Sequence, residues 1–177
     1  MNWLERLINR LLAIVPRLKM IAPDEGGVRI TLGSHVTTLK PGWFIYWPLI
    51  QTIPVIAIMP QVVDLREQGL TTLDGVGLAI SGAVEYAVRD TRRAILEVQD
   101  YDRSLPTLCL GKIAEYVENH DQKNCTSEKI GTEVRREIRE HANSWGISIK
   151  HVYITDRIVA TAYKIMLNGT LAPITLL

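Results

Sequence analysis

Apolar and polar positions along this chain follow two rhythms, one near 3.6 residues and one of two residues. The first rhythm opens the sequence. Trp3, Leu4, Leu7, Ile8, Leu11, Leu12, Ile14, Val15 and Leu18 recur at helical spacing, while Glu5, Arg6, Asn9, Arg10 and Arg17 fall on the other side. Such a pattern predicts an amphipathic helix, which Pro16 bends or ends. After a loop at Pro23-Asp24-Glu25-Gly26-Gly27, VRITLG reads as a strand, and Ser34 to Lys40 read as a polar connection. Pro41-Gly42 turns into WFIYWP, and IPVIAIMP is a short strand between prolines. VVDLREQGLTT continues extended to a hairpin turn at Leu73-Asp74-Gly75. Period two is clearest next, where Val76, Leu78, Ile80, Gly82, Val84, Tyr86 and Val88 alternate with smaller or polar residues. That run predicts a strand with one buried face.

Helical patterns follow. Asp90 is a plausible N-cap for TRRAILEVQ. Asp102 or Ser104 starts a second helix that tolerates Pro106 in its first turn and points Leu108, Ile113 and Val117 inward. Thr126 or Ser127 opens a third, with Ile130, Val134, Ile138 and Trp145 as its stripe and Gly146 as its C-cap. ISIKHVYI returns as a strand, and Asp156 is expected to begin a last short helix, RIVATAYKIML. The fold class is therefore α+β: antiparallel strands, then helices, then a returning strand. Three segments are expected: an amphipathic helix over 1–22, the main domain over 23–155, and a short helix with an apolar tail over 156–177.

Composition narrows the partners. The 177 residues carry a net charge of +1, which gives no overall field for nucleic acid. Cys109 and Cys125 lie without a CxxC pattern and read as reduced thiols. In the opening segment no uninterrupted apolar run approaches the roughly 20 residues a membrane span needs. Lying in the interface suits it better, with Trp3 at headgroup depth and Arg6, Arg10, Arg17 and Lys19 facing anionic lipid. The alternative is a helix docked on its own domain or on a neighbouring subunit.

Aromatic residues are 6% of the chain, yet Trp43, Phe44, Tyr46 and Trp47 crowd one short strand. Alternation sends Trp43, Ile45 and Trp47 one way and Phe44 and Tyr46 the other. One set can enter the core while the other meets a bilayer interface, where Trp and Tyr are favoured. Burial of both sets between sheet and helix is the competing reading.

These words in this order resemble the band 7, or SPFH, family of stomatin, prohibitin, flotillin and the bacterial Hfl-type subunits. The resemblance rests on VRITLG, on KPGWFIYWPLIQTI, on LTTLDGVGLAISGAVEYAVRD and on WGISIKHVYITD, over roughly residues 25 to 157. It implies a peripheral membrane scaffold that assembles into rings or cages and tunes integral membrane proteins, without chemistry or cofactors of its own. It also implies that the Pro-Gly region dips into lipid beside an N-terminal anchor. The chain stops soon after Asp156, so a short form lacking the family's long coiled coil is expected. Its apolar tail, with Leu171, Ile174, Leu176 and Leu177, then needs cover from a neighbour, the membrane or its own domain.

Catalytic signals are missing. His35, His120, His141 and His151 are scattered without metal-ligand spacing, and Ser81-Gly82 lies mid-strand, where no nucleophile elbow forms. Glu133, Arg135, Arg136, Glu137, Arg139 and Glu140 mix charge signs along one helix. They read as a solvated face or as complementary charges pairing across copies of the chain. The expected partners are thus further copies, membrane lipid and an integral membrane client, on the cytoplasmic face of a membrane. The rival reading is a soluble self-assembling subunit whose apolar termini touch neighbours.

Overall fold

A computed structural model describes residues 15–160. The described chain divides into two compact units. One comprises residues 15–61, 86–101 and 141–148, and the other residues 62–85, 102–140 and 149–160.

In the first unit β1 (Arg17–Ile21) pairs antiparallel with β4 (Gly42–Tyr46). A second sheet centres on β2 (Glu25–Thr31), with β3 (His35–Leu39) on one edge. Its other edge is shared by β5 (Gln51–Thr52) and β6 (Val55–Ala57). These last two hold a single register against β2, interrupted where Pro54 falls opposite Val28. The Val28 N–H donates to the Pro54 carbonyl at 3.1 Å. Pro54 has no N–H with which to return the bond, so the ladder breaks there.

α1 (Thr91–Leu96) starts where the sequence predicts, with the Asp90 carboxylate accepting from the Arg93 N–H at 3.1 Å. The Gly146 carbonyl accepts from Arg89 and Asp90 at 2.8 and 3.0 Å. Gly146 itself has φ +76°, and a Cβ there would lie 2.5 Å from the Asp90 carbonyl oxygen. The residue is glycine for both reasons.

β7 (Gln61–Thr71), β8 (Gly77–Val88) and β9 (Ile147–Ala160), which lie mostly in the second unit, form a sheet in the order β7-β8-β9. α2 (Tyr101–Glu118) buries Leu105, Cys109, Ile113 and Val117 at strict four-residue spacing. α3 (Ser127–Ser144) buries Ile130, Val134 and Ile138 in the same way. The β7–β8 turn is closed by Thr72, whose N–H donates to the Val76 carbonyl at 2.9 Å and whose hydroxyl donates to Asp74. That hydroxyl, followed by the Gln122 N–H, holds the Asp74 carboxyl below its ordinary range. Asn119 and His120 turn back to the Glu115 and Tyr116 carbonyls at 2.7 Å, capping the end of α2.

Five expectations need correction, the first being the loop at Pro23–Gly27, which becomes β2 from Glu25 onward. Residues 17–21 are strand, not the tail of an amphipathic helix, because pairing with β4 buries Ile21 at 1% exposure. The polar stretch after Ser34 is β3, since a hairpin partner sets its conformation more strongly than its own composition. α2 begins at Tyr101, so Pro106 sits beyond the first turn and removes one internal hydrogen bond. Asp156 opens no helix; β9 runs through it to Ala160, as β-branched Ile158 and Val159 favour. The remainder of the predicted N-terminal helix and of the C-terminal segment lies outside the described residues.

Gly146→Ala should destabilise the protein by at least about 1–2 kcal/mol, because alanine adds both a left-handed backbone penalty and a clash. Denaturant unfolding measures this directly. Wild-type stability would show that the Trp145-Gly146 corner does not depend on glycine.

Candidate functional site

The β1–β4 pair is built so that one face turns outward. Direct pairing sets Leu18 opposite Ile45 and Met20 opposite Trp43, and in antiparallel strands paired residues share a face. Their exposures are 60%, 60%, 51% and 65% respectively. Trp47 continues the alternation and is also exposed. On the opposite face Arg17 pairs with Tyr46, Lys19 with Phe44 and buried Ile21 with Gly42. Phe44 and Tyr46 are half-buried there. Gly42 leads into the strand at φ +145°, a conformation that suits glycine and follows naturally on Pro41.

A second set of apolar side chains adjoins this face. The turn after β4 is closed by the Ile50 and Gln51 N–H groups donating to the Trp47 carbonyl at 3.1 and 2.8 Å. The Gln51 amide oxygen accepts from the Trp47 N–H at 3.1 Å. This turn exposes Leu49 and Ile50. The Leu32 N–H donates to the Ile50 carbonyl at 2.8 Å, bringing the tip of the β2–β3 hairpin alongside. Leu32 has φ +51° and is 73% exposed. A left-handed conformation costs a branched side chain about 1–2 kcal/mol.

Past Glu25, along the stretch from β2 to the start of β7, the formal charges are all basic. From residue 26 to residue 63 the sequence contains no Asp or Glu, while Arg29 and Lys40 are both basic. β1 adds Arg17 and Lys19 and no carboxylate. Beyond the end of β1 come Asp24 and Glu25, and the Glu25 carboxylate accepts from the Ala22 N–H at 3.1 Å.

The predicted site residues are thus redistributed. Trp43 and Trp47 share the outward face, whereas Phe44, Tyr46, Arg17 and Lys19 belong to the other. Leu18, Met20, Leu32, Leu49 and Ile50 join the apolar surface without having been singled out for it. Leu18 and Met20 alternate in RLKMI, but Leu18 also fits the preceding helical spacing. Trp3, Leu4, Arg6, Leu7, Ile8, Arg10, Leu11, Leu12 and Ile14 lie outside the described residues, as do Leu171, Ile174, Leu176 and Leu177. Val15, the first described position, is exposed.

In the charged run on α3, Glu133 pairs with Arg136 at 2.6 Å and Glu137 reaches Lys112 of α2 at 3.4 Å. The hydrogen bond that the Lys112 ammonium donates to Glu115, and then that to Glu137, holds Lys112 above its ordinary value. Arg135, Arg139 and Glu140 are exposed and form no ion pair among the described residues.

The chemical groups are quiet. Burial pushes the Cys109 thiol up to about 12 and raises that of Cys125, and both are free. Among the described residues no three His, Cys, Asp or Glu side chains gather as a metal site. No described helix is long and apolar enough to cross a membrane.

Comparison with known proteins bears on this geometry. The family model described as SPFH domain / Band 7 family matches residues 19–167. An uncharacterized protein of Archaeoglobus fulgidus is 27% identical over 87% of this chain and 63% of its own length. A stomatin homolog of Pyrococcus horikoshii is 24% identical over 82% of this chain and 56% of its own. A putative band 7 family protein of Acanthamoeba polyphaga mimivirus is 25% identical over 81% of this chain and 48% of its own. The chain therefore spans about half to two-thirds of the length of these three relatives.

Neither thiol should react with a water-soluble disulfide reagent at about pH 8 while the protein is folded, since both thiolates are disfavoured by burial. Both should react once it is unfolded. Rapid labelling of Cys125 in the native protein would overturn the assignment of both thiols to the core.

Proposed function

The chain belongs to the SPFH domain / Band 7 family, and from that membership together with the outward face of β1–β4 we propose a stomatin-like, membrane-associated scaffold. It lies peripherally on the cytoplasmic face of a membrane, associates with further copies of itself, and organises lipid around an integral membrane client. It performs no catalysis and needs no cofactor.

One observation carries this reading: Leu18, Met20, Trp43 and Ile45 form a paired, exposed apolar face on a strand ribbon. Exposed indoles are favoured at the depth where headgroups meet acyl chains. Burying each large apolar side chain contributes roughly 1.5–3 kcal/mol, which suits reversible surface binding. The same family membership supports self-association. The unpaired Arg135, Arg139 and Glu140 on α3 supply charges that a neighbouring copy can complement.

Trp43→Ser combined with Trp47→Ser should weaken flotation of the full chain with liposomes by at least about tenfold, the equivalent of 1.4 kcal/mol. Its melting transition should stay close to wild type, because both side chains are exposed. Loss of folding would make the pair core. Undiminished flotation would remove β1–β4 as the lipid-facing surface. If the wild-type protein forms large particles without lipid and never floats, the apolar face serves subunit contacts instead.

A further inference from the structure

The three-stranded sheet is bounded by two long strands, β7 and β9, and among the described residues no further strand pairs with either. β7 holds eleven residues and β9 fourteen, and neither contains proline. Each presents a row of backbone donors and acceptors outward, which proteins ordinarily blunt with short strands, prolines or a cover. Six of the nine positions from His151 to Val159 are exposed, as are Val62, Asp64, Arg66, Glu67 and Gly69 on β7.

Direction decides how these edges meet. β7 and β8 run antiparallel through the turn that Thr72 and Val76 close. The Ser81 hydroxyl meets Thr155 and Asp156 at 3.1 and 2.9 Å, whereas Glu85 accepts from the Tyr153 hydroxyl at 3.1 Å. Rising along β8 thus means falling along β9, so β7 and β9 point the same way. Resting on the self-association proposed above, we infer that β9 of one copy pairs in parallel with β7 of the next, extending one sheet from subunit to subunit. Charge fixes the register. Asp156-Arg157 set beside Arg66-Glu67 matches opposite signs at both positions, and the same alignment lays Val152 beside Val62. A two-fold contact through β7 alone, or through β9 alone, also opposes unlike charges but leaves the other edge open. Joining unlike edges covers both on every internal copy, and such a head-to-tail contact generates a ring or a filament.

Sedimentation of the full chain tests this with Arg66→Glu, Asp156→Arg and the two combined. Each single change should weaken self-association about tenfold, and the combination should restore it to near wild type. Under mild oxidation, Arg66→Cys mixed with Asp156→Cys should form a disulfide between the two chains faster than either variant alone. The native thiols are buried and stand aside. Should a charge reversal lower the melting temperature, the cysteine mixture alone decides. Wild-type association in both single variants would overturn the edge pairing while leaving self-association to another surface. So would a combination no better than the single changes. Faster cross-linking of one cysteine variant with itself would overturn it in favour of a two-fold dimer. If residues 161–177 or a strand of another protein covers an edge, the mixture stays uncross-linked, which overturns it too. A wild-type chain that is monomeric at every concentration, with and without lipid, would sink the self-association reading and this pairing together.

Discussion

Strand alternation, fixed by one buried residue, governs the whole surface described above. Ile21 is 1% exposed, which decides which face of β1 points inward. Register then hands that decision to β4, because paired residues must share a face. Once Lys19, Phe44 and Ile21 lie on the inner side, Leu18, Met20, Trp43 and Ile45 have nowhere to go but out. A slip of one residue would reverse every position and bury the indole instead. The outward face is a direct consequence of how a small core is closed.

Two strands alone make a marginal ribbon. Cover on the Ile21 side supplies what the ladder lacks, and nothing among the described residues covers the other side. The result is a ribbon stable enough to hold its shape and apolar enough to want a partner. Such a surface can be held ready without rearrangement, so binding need not meet the entropy of ordering a loop. The closed hydrogen bonding of the Trp47–Gln51 turn, and the bond from Leu32 to it, extend the same preordering beyond the ribbon.

Much of this was legible in the sequence wherever local signals and tertiary demands agreed. Asp90 caps α1 and Gly146 sits at the end of a periodic helix, each as read, and β8 is the strand its alternation predicts, although Gly77, Ala83 and Ala87 on its second face are buried too. Ambiguity arose where one residue served two patterns. Leu18 fits a helical stripe and a strand alternation equally well, and only pairing with Ile45 settles it. His35–Leu39 has too little apolar character to announce a strand; its hairpin partner β2 supplies the conformation. Asp156 resembled a helix start because the β-branched Ile158 and Val159 that follow it also suit an apolar helix face. The clustered aromatics marked the site, but not which of them face outward, since that depends on Ile21 one strand away. Leu32 was invisible for a different reason: positive φ at leucine leaves no trace in composition.

The exposed apolar residues and the nearby basic charge also constrain how strongly this surface can act. Few side chains are involved and all stand on short strands and tight turns, so on the proposed reading they would reach only the outer part of a bilayer. On that reading, Arg17 and Lys19 on the other face of β1 and Lys40 beyond β3 would add only long-range attraction, which salt weakens. On the proposed membrane reading, one subunit would bind reversibly. Several subunits held together would multiply a weak individual affinity through effective concentration, provided their tips face one way.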